Sequence, residues 1–192
     1  MKLILASRSP RRRALLAEAG YEFEVALPSA AAECGICSHE GPAGLVQRLA
    51  INKAGDVAAR VARGLVLGCD TMVECGGEVL GKPAGEDDAR RMLTLLRGQR
   101  HRVYSGVCLW RRPDDEVRTG VEVTVLTMDA ITNRQIEEYV RSGQWEGKAG
   151  AFGYQDRHGW IRIVEGDESN VVGLPLGLVK KLIEQLTPAA GH

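Results

Sequence analysis

The spacing of apolar residues changes several times along the chain, and each change predicts an element. Residues 2–6 are a short apolar run and predict a first strand. Ser9 then has the chemistry of an N-cap, and Pro10 suits the first helical position. Leu15, Leu16 and Ala19 give that helix an apolar face, which Gly20 ends. Residues 23–27 predict a second strand. Residues 29–44 are small and polar and predict a mobile loop. Leu45, Leu49, Val57 and Val61 recur at helical spacing over residues 45–61. Residues 65–73 form an apolar strand interrupted by Asp70, and residues 79–80 return after the Gly76-Gly77 turn. Residues 86–96 predict a helix closed by Gly98. Residues 102–110 and 117–126 predict a hairpin about Pro113-Asp114-Asp115. A helix capped by Thr132 and ended by Gly143, a strand at 160–164 and a last helix at 176–186 complete the series.

Strands and helices mixed in this order predict an α/β fold with a mixed, twisted sheet flanked by helices. No repeat or low-complexity segment interrupts it, so residues 1–187 are expected to form one domain, followed by a short tail at 188–192. Of the 192 residues, 44% are hydrophobic and 26% charged, enough to bury a core without cross-links. The formal net charge is zero, and no stripe of basic and aromatic residues is present, which argues against nucleic acid as a partner. No apolar stretch nears the roughly 20 residues of a membrane span. Five cysteines, an odd number, with no secretory signal imply free thiols in a reducing, cytoplasmic compartment.

Candidate chemistry sits at four places. The segment Ala6-Ser7-Arg8-Ser9-Pro10-Arg11-Arg12-Arg13 puts three arginines in a helix's first turn, where the helix dipole disfavours cations. A bound anion would offset that, held by backbone N–H groups and guanidinium forks, while the plainer reading is a solvated basic helix end. In Val66-Leu67-Gly68-Cys69-Asp70-Thr71 an apolar strand carries a carboxylate near its C-terminal end. It could act as a general base, hold a divalent ion, or simply bond its own turn. Gly76 and Gly81-Lys82 have the spacing of a phosphate-binding loop, but Pro83 stands where a hydroxyl must bind magnesium. The phosphate-loop kinase reading fails there, and Lys82 stays a candidate phosphate ligand. Cys34, Cys37 and His39 suggest zinc, but no second matching pair supplies four ligands.

Together these segments resemble the Maf family of nucleotide pyrophosphatases. The resemblance runs through residues 5–12, Leu49-Ala50-Ile51-Asn52-Lys53-Ala54, Leu67-Gly68-Cys69-Asp70-Thr71, Leu80-Gly81-Lys82-Pro83, residues 148–155 and residues 170–176. It implies two lobes around a nucleotide-binding cleft, and cleavage of a nucleoside triphosphate between its α and β phosphates with a divalent cation, Mg2+ or Mn2+. It makes Asp70 the general base, and gives Ser7, Arg12, Lys53 and Lys82 to the phosphates. Glu33 matches a carboxylate that holds metal or water. Arg11, Thr71 and Gln155 match the branch acting on dTTP and UTP, and a glutamine amide both donates and accepts toward a pyrimidine edge. The family often has Asp where this chain has Ala32, and smaller residues at Arg8 and Cys69. A homodimer is implied as well. The rival reading is a nucleotide- or partner-binding regulator of cell division without catalysis. The presence of Asp70, Lys53, Lys82 and Arg12 together favours catalysis.

Overall fold

Side chains alternate across the first strand, and both sides are covered. In the computed structural model, which describes residues 1–33, 40–156 and 158–186, β1 (Leu3–Ala6) is buried over its whole length. Leu3 and Leu5 pack with Leu16 of α1 (Pro10–Glu18) and with Val179, Leu182 and Leu186 of α6 (Leu176–Leu186). Ile4 and Ala6 pack instead with Ala50, Ala54 and Val57 of α2 (Pro42–Ala58). A strand sandwiched in this way needs apolar residues at every position, which is why residues 3–6 show no polar alternation.

β1 is flanked by β2 (Phe23–Val25) and β3 (Gly64–Cys75), both parallel to it. The chain therefore leaves β1 first to one side and then to the other, which in open α/β sheets marks the place where ligands bind beyond the strand ends. Ala6 pairs with Gly68, so β3 runs past the end of β1 and carries Cys69 and Asp70 beyond it. Asp70 is consequently inside β3 rather than near its end as the sequence pattern suggested. The strand continues to Cys75 because its last three residues pair antiparallel with β4 (Glu78–Leu80), across Gly76 and Gly77 at φ 58 and 87. Those positive angles favour glycine.

The sheet has seven strands in the order β2-β1-β3-β5-β6-β7, with β4 paired to β3. β5 (Arg100–Arg112) and β6 (Glu116–Met128) are longer than their apolar runs, and β7 (Ile161–Glu165) lies antiparallel to β6. The mixed α/β architecture expected from the sequence is the one observed. The chain divides into two compact units, one of Met1–Asp70, Ser105–Glu122 and Gly173–His192, the other of Thr71–Tyr104 and Val123–Val172. The first holds the two core layers on β1. The second has its own core, in which Met92, Leu93 and Leu96 of α3 (Glu86–Leu96) pack with Ile136, Tyr139 and Val140 of α4 (Asn133–Arg141). Thr132 and Gln135 close a reciprocal capping box at the start of α4.

The 29–44 segment differs from a plain loop. Ala30–Glu33 form a 3₁₀ turn, and α2 begins at Pro42 behind an extended Gly41. Cys34, Cys37 and His39 lie outside the described residues, as do residues 187–192. A short helix, α5 (Glu168–Val172), was not anticipated: five residues leave no apolar period, and its cue is Asp167 Oδ1 accepting from Asn170 N at 3.0 Å. Cys69, Cys75 and Cys108 are free and buried, and burial pushes the Cys108 thiol up to about 12. Among the described residues no helix is long and apolar enough to cross a membrane.

Candidate active site

Gly68 sets the geometry around Asp70 in the first unit. A Cβ on Gly68 would lie 2.3 Å from the carbonyl oxygen of Ala50 and 2.8 Å from the nitrogen of Ala54. The backbone of α2 therefore rests directly on β3, which only a residue without a side chain permits. Lys53 lies on the helical turn that Gly68 admits, and its Nζ reaches Asp70 Oδ1 at 2.5 Å. Asp70 is 8% and Lys53 7% exposed. Two charges so far from water persist only as a pair, because either one alone would carry its whole desolvation cost. The pairing is one-sided: Asp70 Oδ2 is buried and has no hydrogen-bond partner among the described residues. A buried carboxylate oxygen left bare is costly, and it marks a position for a water proton or a cation.

Arg12 works on the same strand. Its Nε donates to the carbonyl of Gly173 and its Nη1 to that of Cys69, both at 2.8 Å, and Nη1 also lies 3.4 Å from Ser7 Oγ. The guanidinium thus ties the start of α1 to the residue preceding Asp70. The sequence placed Arg12 in the open first turn of a helix, whereas it is buried at 9% exposure, with its fork turned inward onto carbonyls. Ser7 is also buried, and its Oγ accepts from Ser9 N at 3.1 Å as well as from Arg12. Ser9 caps α1 through Arg12 N, as its sequence position indicated. Arg11 is half-buried beside it.

Glu33 ends the 3₁₀ turn, and its side chain lies outside the described residues. The chain entering that turn is pinned to α2. Asp56 accepts from Ser29 N at 3.0 Å and from Ser29 Oγ at 2.7 Å, and Arg60 donates both to Asp56 and to the carbonyl of Leu27. The bonds from Ser29, and then that from Arg60, hold the Asp56 carboxyl below its ordinary value.

In the second unit, Thr71 is half-buried, and Lys82 is exposed just after Gly81. The Gly81 carbonyl accepts from Gly150 N at 3.0 Å, tying the Lys82 segment to the one that starts at Lys148. Gln155 is exposed on a 3₁₀ turn, Tyr154–Asp156. Sequence reasoning missed two neighbours. Lys148 is buried at 9% exposure with its Nζ 2.5 Å from Asp156 Oδ2, and the same oxygen accepts from the Tyr139 hydroxyl at 2.8 Å. The available signal was a lysine followed by small residues and an aspartate eight positions on, which has no periodic signature. His158 stacks on Trp160 at 4.7 Å and meets Tyr139 edge-on, so the tryptophan packs in an aromatic cluster.

A divalent cation would find one carboxylate oxygen waiting, Asp70 Oδ2. No cluster of three or more His, Cys, Asp or Glu side chains suited to a metal occurs among the described residues. One carboxylate supplemented by water and phosphate oxygens is the usual environment of magnesium at a nucleotide, so the residues fit such an ion.

The chain matches a family model described as Maf-like protein over residues 2–186. It is 52% identical over 183 residues to a protein of Rhodopirellula baltica named dTTP/UTP pyrophosphatase, covering 95% of this chain and 81% of that one. A protein of the same name from Moorella thermoacetica is 45% identical over 183 residues, covering 95% and 93%. Among solved structures, the Staphylococcus aureus Ham1 protein aligns with a TM-score of 0.55 at 9% identity, covering 97% of this chain and 100% of that one. A HAM1 protein from Coxiella burnetii aligns at 0.54 and 14%, covering 96% and 99%. At these identities the likeness is one of fold alone.

Proposed function

The chain belongs to the Maf-like protein family, and on that premise we propose that it is a nucleoside triphosphate pyrophosphatase. It hydrolyses dTTP and UTP to the monophosphate and pyrophosphate. The observation that carries the reading is the buried Asp70, charge-paired through Oδ1 to Lys53 and bare at Oδ2.

In this reading Asp70 Oδ2 takes the proton of the water that attacks the α-phosphorus. Lys53 pairs with the carboxylate and fixes its orientation, so that one oxygen is held and the other is presented. A general base positioned in this way contributes about 10²–10⁴-fold. Arg12, anchored on the carbonyls of Cys69 and Gly173, holds β3 and α1 in register around that carboxylate. Its charge and that of Lys53 also offset the phosphates, where positioning and charge neutralisation dominate the chemistry. Ser7 orients a phosphate oxygen and Lys82 neutralises the leaving pyrophosphate. Arg11, Thr71 and Gln155 select the base. Glu33 is the carboxylate assigned to Mg2+ or Mn2+, which when bound would neutralise phosphate charge and polarise the phosphorus. The enzyme acts as one domain over residues 1–187, as a cytoplasmic homodimer. The buried, free Cys69, Cys75 and Cys108 suit a reducing compartment.

The test is product identification from dTTP and UTP with magnesium. Equal amounts of monophosphate and pyrophosphate support the reading. Orthophosphate would place cleavage at the terminal phosphate and contradict it. Tight nucleotide binding without turnover would favour the regulatory role instead.

A further inference from the structure

A left-handed turn in the second unit bonds to the backbone just before Lys82. Within Ala149–Ala151, Gly150 and Ala151 stand at φ 68 and 61. Glycine adopts that region freely, whereas alanine does not. Ala151 is fully buried in the core of the unit. It also lacks the polar side chain of Asp115, the other non-glycine at positive φ among the described residues. A residue in this conformation persists only where its surroundings over-determine it.

Those surroundings are specific. Ala151 N donates to the carbonyl of Lys148 at 3.1 Å and closes the turn. Gly150 N donates to the carbonyl of Gly81 at 3.0 Å, and a Cβ on Gly150 would lie 3.0 Å from Val73 Cγ2. Val73 pairs with Leu80, so the turn rests on β3 at Val73 and on the residue that follows β4. The loop 148–156 is then closed by a buried ion pair, with Lys148 Nζ 2.5 Å from Asp156 Oδ2. The Tyr139 hydroxyl donates to the same oxygen at 2.8 Å and anchors the pair to α4.

Lys82 is exposed, and Pro83 after it restricts its backbone. On the far side, Ala84 N donates to Asp88 Oδ2 at 3.0 Å. The backbone of Lys82 therefore lies between an anchor on the left-handed turn and an anchor on α3. We infer that the Lys148–Asp156 pair is a positioning device for Lys82. The pair closes the loop that holds Gly150 in place, and the Gly150 N–H fixes the Gly81 carbonyl directly before Lys82. The inference rests on the pyrophosphatase reading for the ligand of Lys82, a pyrophosphate group. An exposed lysine loses much rotamer freedom on binding, so a fixed backbone beneath it lowers the cost of holding an anion. A buried ion pair adds little stability over apolar packing of the same size, but it fixes geometry. Lys148 and Asp156 act through the turn and need not touch the ligand.

The test is a mutant cycle read on binding of magnesium pyrophosphate. Lys148→Met combined with Asp156→Asn removes the pair without stranding a buried charge. Gly150→Ala keeps the pair and displaces the turn, since its Cβ meets Val73 at a positive φ. Each is made in the wild type and in Lys82→Ala, with the melting temperature as the check on folding. Should one of them not fold, the other decides. The expected result is that Lys82→Ala, the pair variant and Gly150→Ala each weaken binding about tenfold, the scale of one lost hydrogen bond to a charged group. In the Lys82→Ala background neither change weakens it further. Losses that add to that of Lys82→Ala would mean general loosening of the unit and overturn the inference. Binding unchanged in the folded turn variants, or indifferent to Lys82→Ala, overturns it as well. Pyrophosphate release from dTTP by the wild type is measured separately. If there is none and the binding losses are still non-additive, the activity is wrong and the positioning device stands.

Discussion

Lys53 Nζ stands 2.5 Å from Asp70 Oδ1, and the two side chains keep only 8% and 11% of their exposure. A pair this dry is sensitive to the loss of one member more than to the loss of both. Lys53→Met should cost about 3–5 kcal/mol of stability, because it strands a buried carboxylate. Lys53→Met combined with Asp70→Asn should recover a large part of that cost. Urea denaturation of the two single variants and the double variant measures the coupling. Strict additivity would mean that the pair is not coupled.

Gly68 should prove as sensitive as either charged residue, although it carries no chemistry. In Gly68→Ala the Cβ meets the backbone of α2, so the helix must move away from β3. Lys53 moves with it. The expected outcome is a stability loss of about 1–3 kcal/mol from overpacking, with a fall in turnover. Chemical denaturation and the steady-state rate check the two effects together.

Arg12 spans two carbonyls, and the bridge depends on the shape of the guanidinium as well as its charge. Arg12→Lys keeps the charge but offers a single point donor, so one carbonyl loses its bond. A loss of about 1–3 kcal/mol follows. A melting temperature equal to wild type would show that the fork is dispensable.

Acid should act on this protein first through His101. Desolvation by burial holds its ring below the ordinary 6.5, outweighing the opposing influence of the Gln99 carbonyl and Glu74. The unfolded chain then takes up a proton near 6.5 that the folded chain refuses. The stability contribution is complete above 6.5 and is lost as the pH falls from there toward the folded value. The melting temperature should drop between pH 7.5 and 5.5, and His101→Gln should flatten that slope. A slope identical in the variant would assign it to other groups.

Local signals in the sequence carried much of the architecture. Ser9 with Pro10, and Thr132, are caps that act within one turn, so they could be read directly and were found in place. The apolar run at residues 2–6 announced a strand, and its cover on both faces appears only in the structure. Long-range partners left no such mark. Arg12 meets the carbonyl of Gly173 across 161 positions, and nothing in a run of arginines shows which one turns inward. Asp70 looked like a strand-end residue because apolar character fades after residue 73, whereas pairing with β4 carries the strand to Cys75. The resemblance named Asp70, Lys53 and Arg12 together, and the three lie on neighbouring elements of the first unit. It passed over Lys148 and Asp156, whose pairing depends on a turn that composition does not encode.

The most direct measurement is pyrophosphate release from dTTP by Asp70→Asn beside the wild type, with magnesium present and dTMP binding measured on the same samples. Asparagine keeps the shape but cannot take a proton. The expected result is turnover reduced by about 10²–10⁴-fold, the range of a lost general base, with the monophosphate still bound. Pyrophosphate release at the wild-type rate would contradict it, and the bare oxygen of Asp70 would then have no part in activating water.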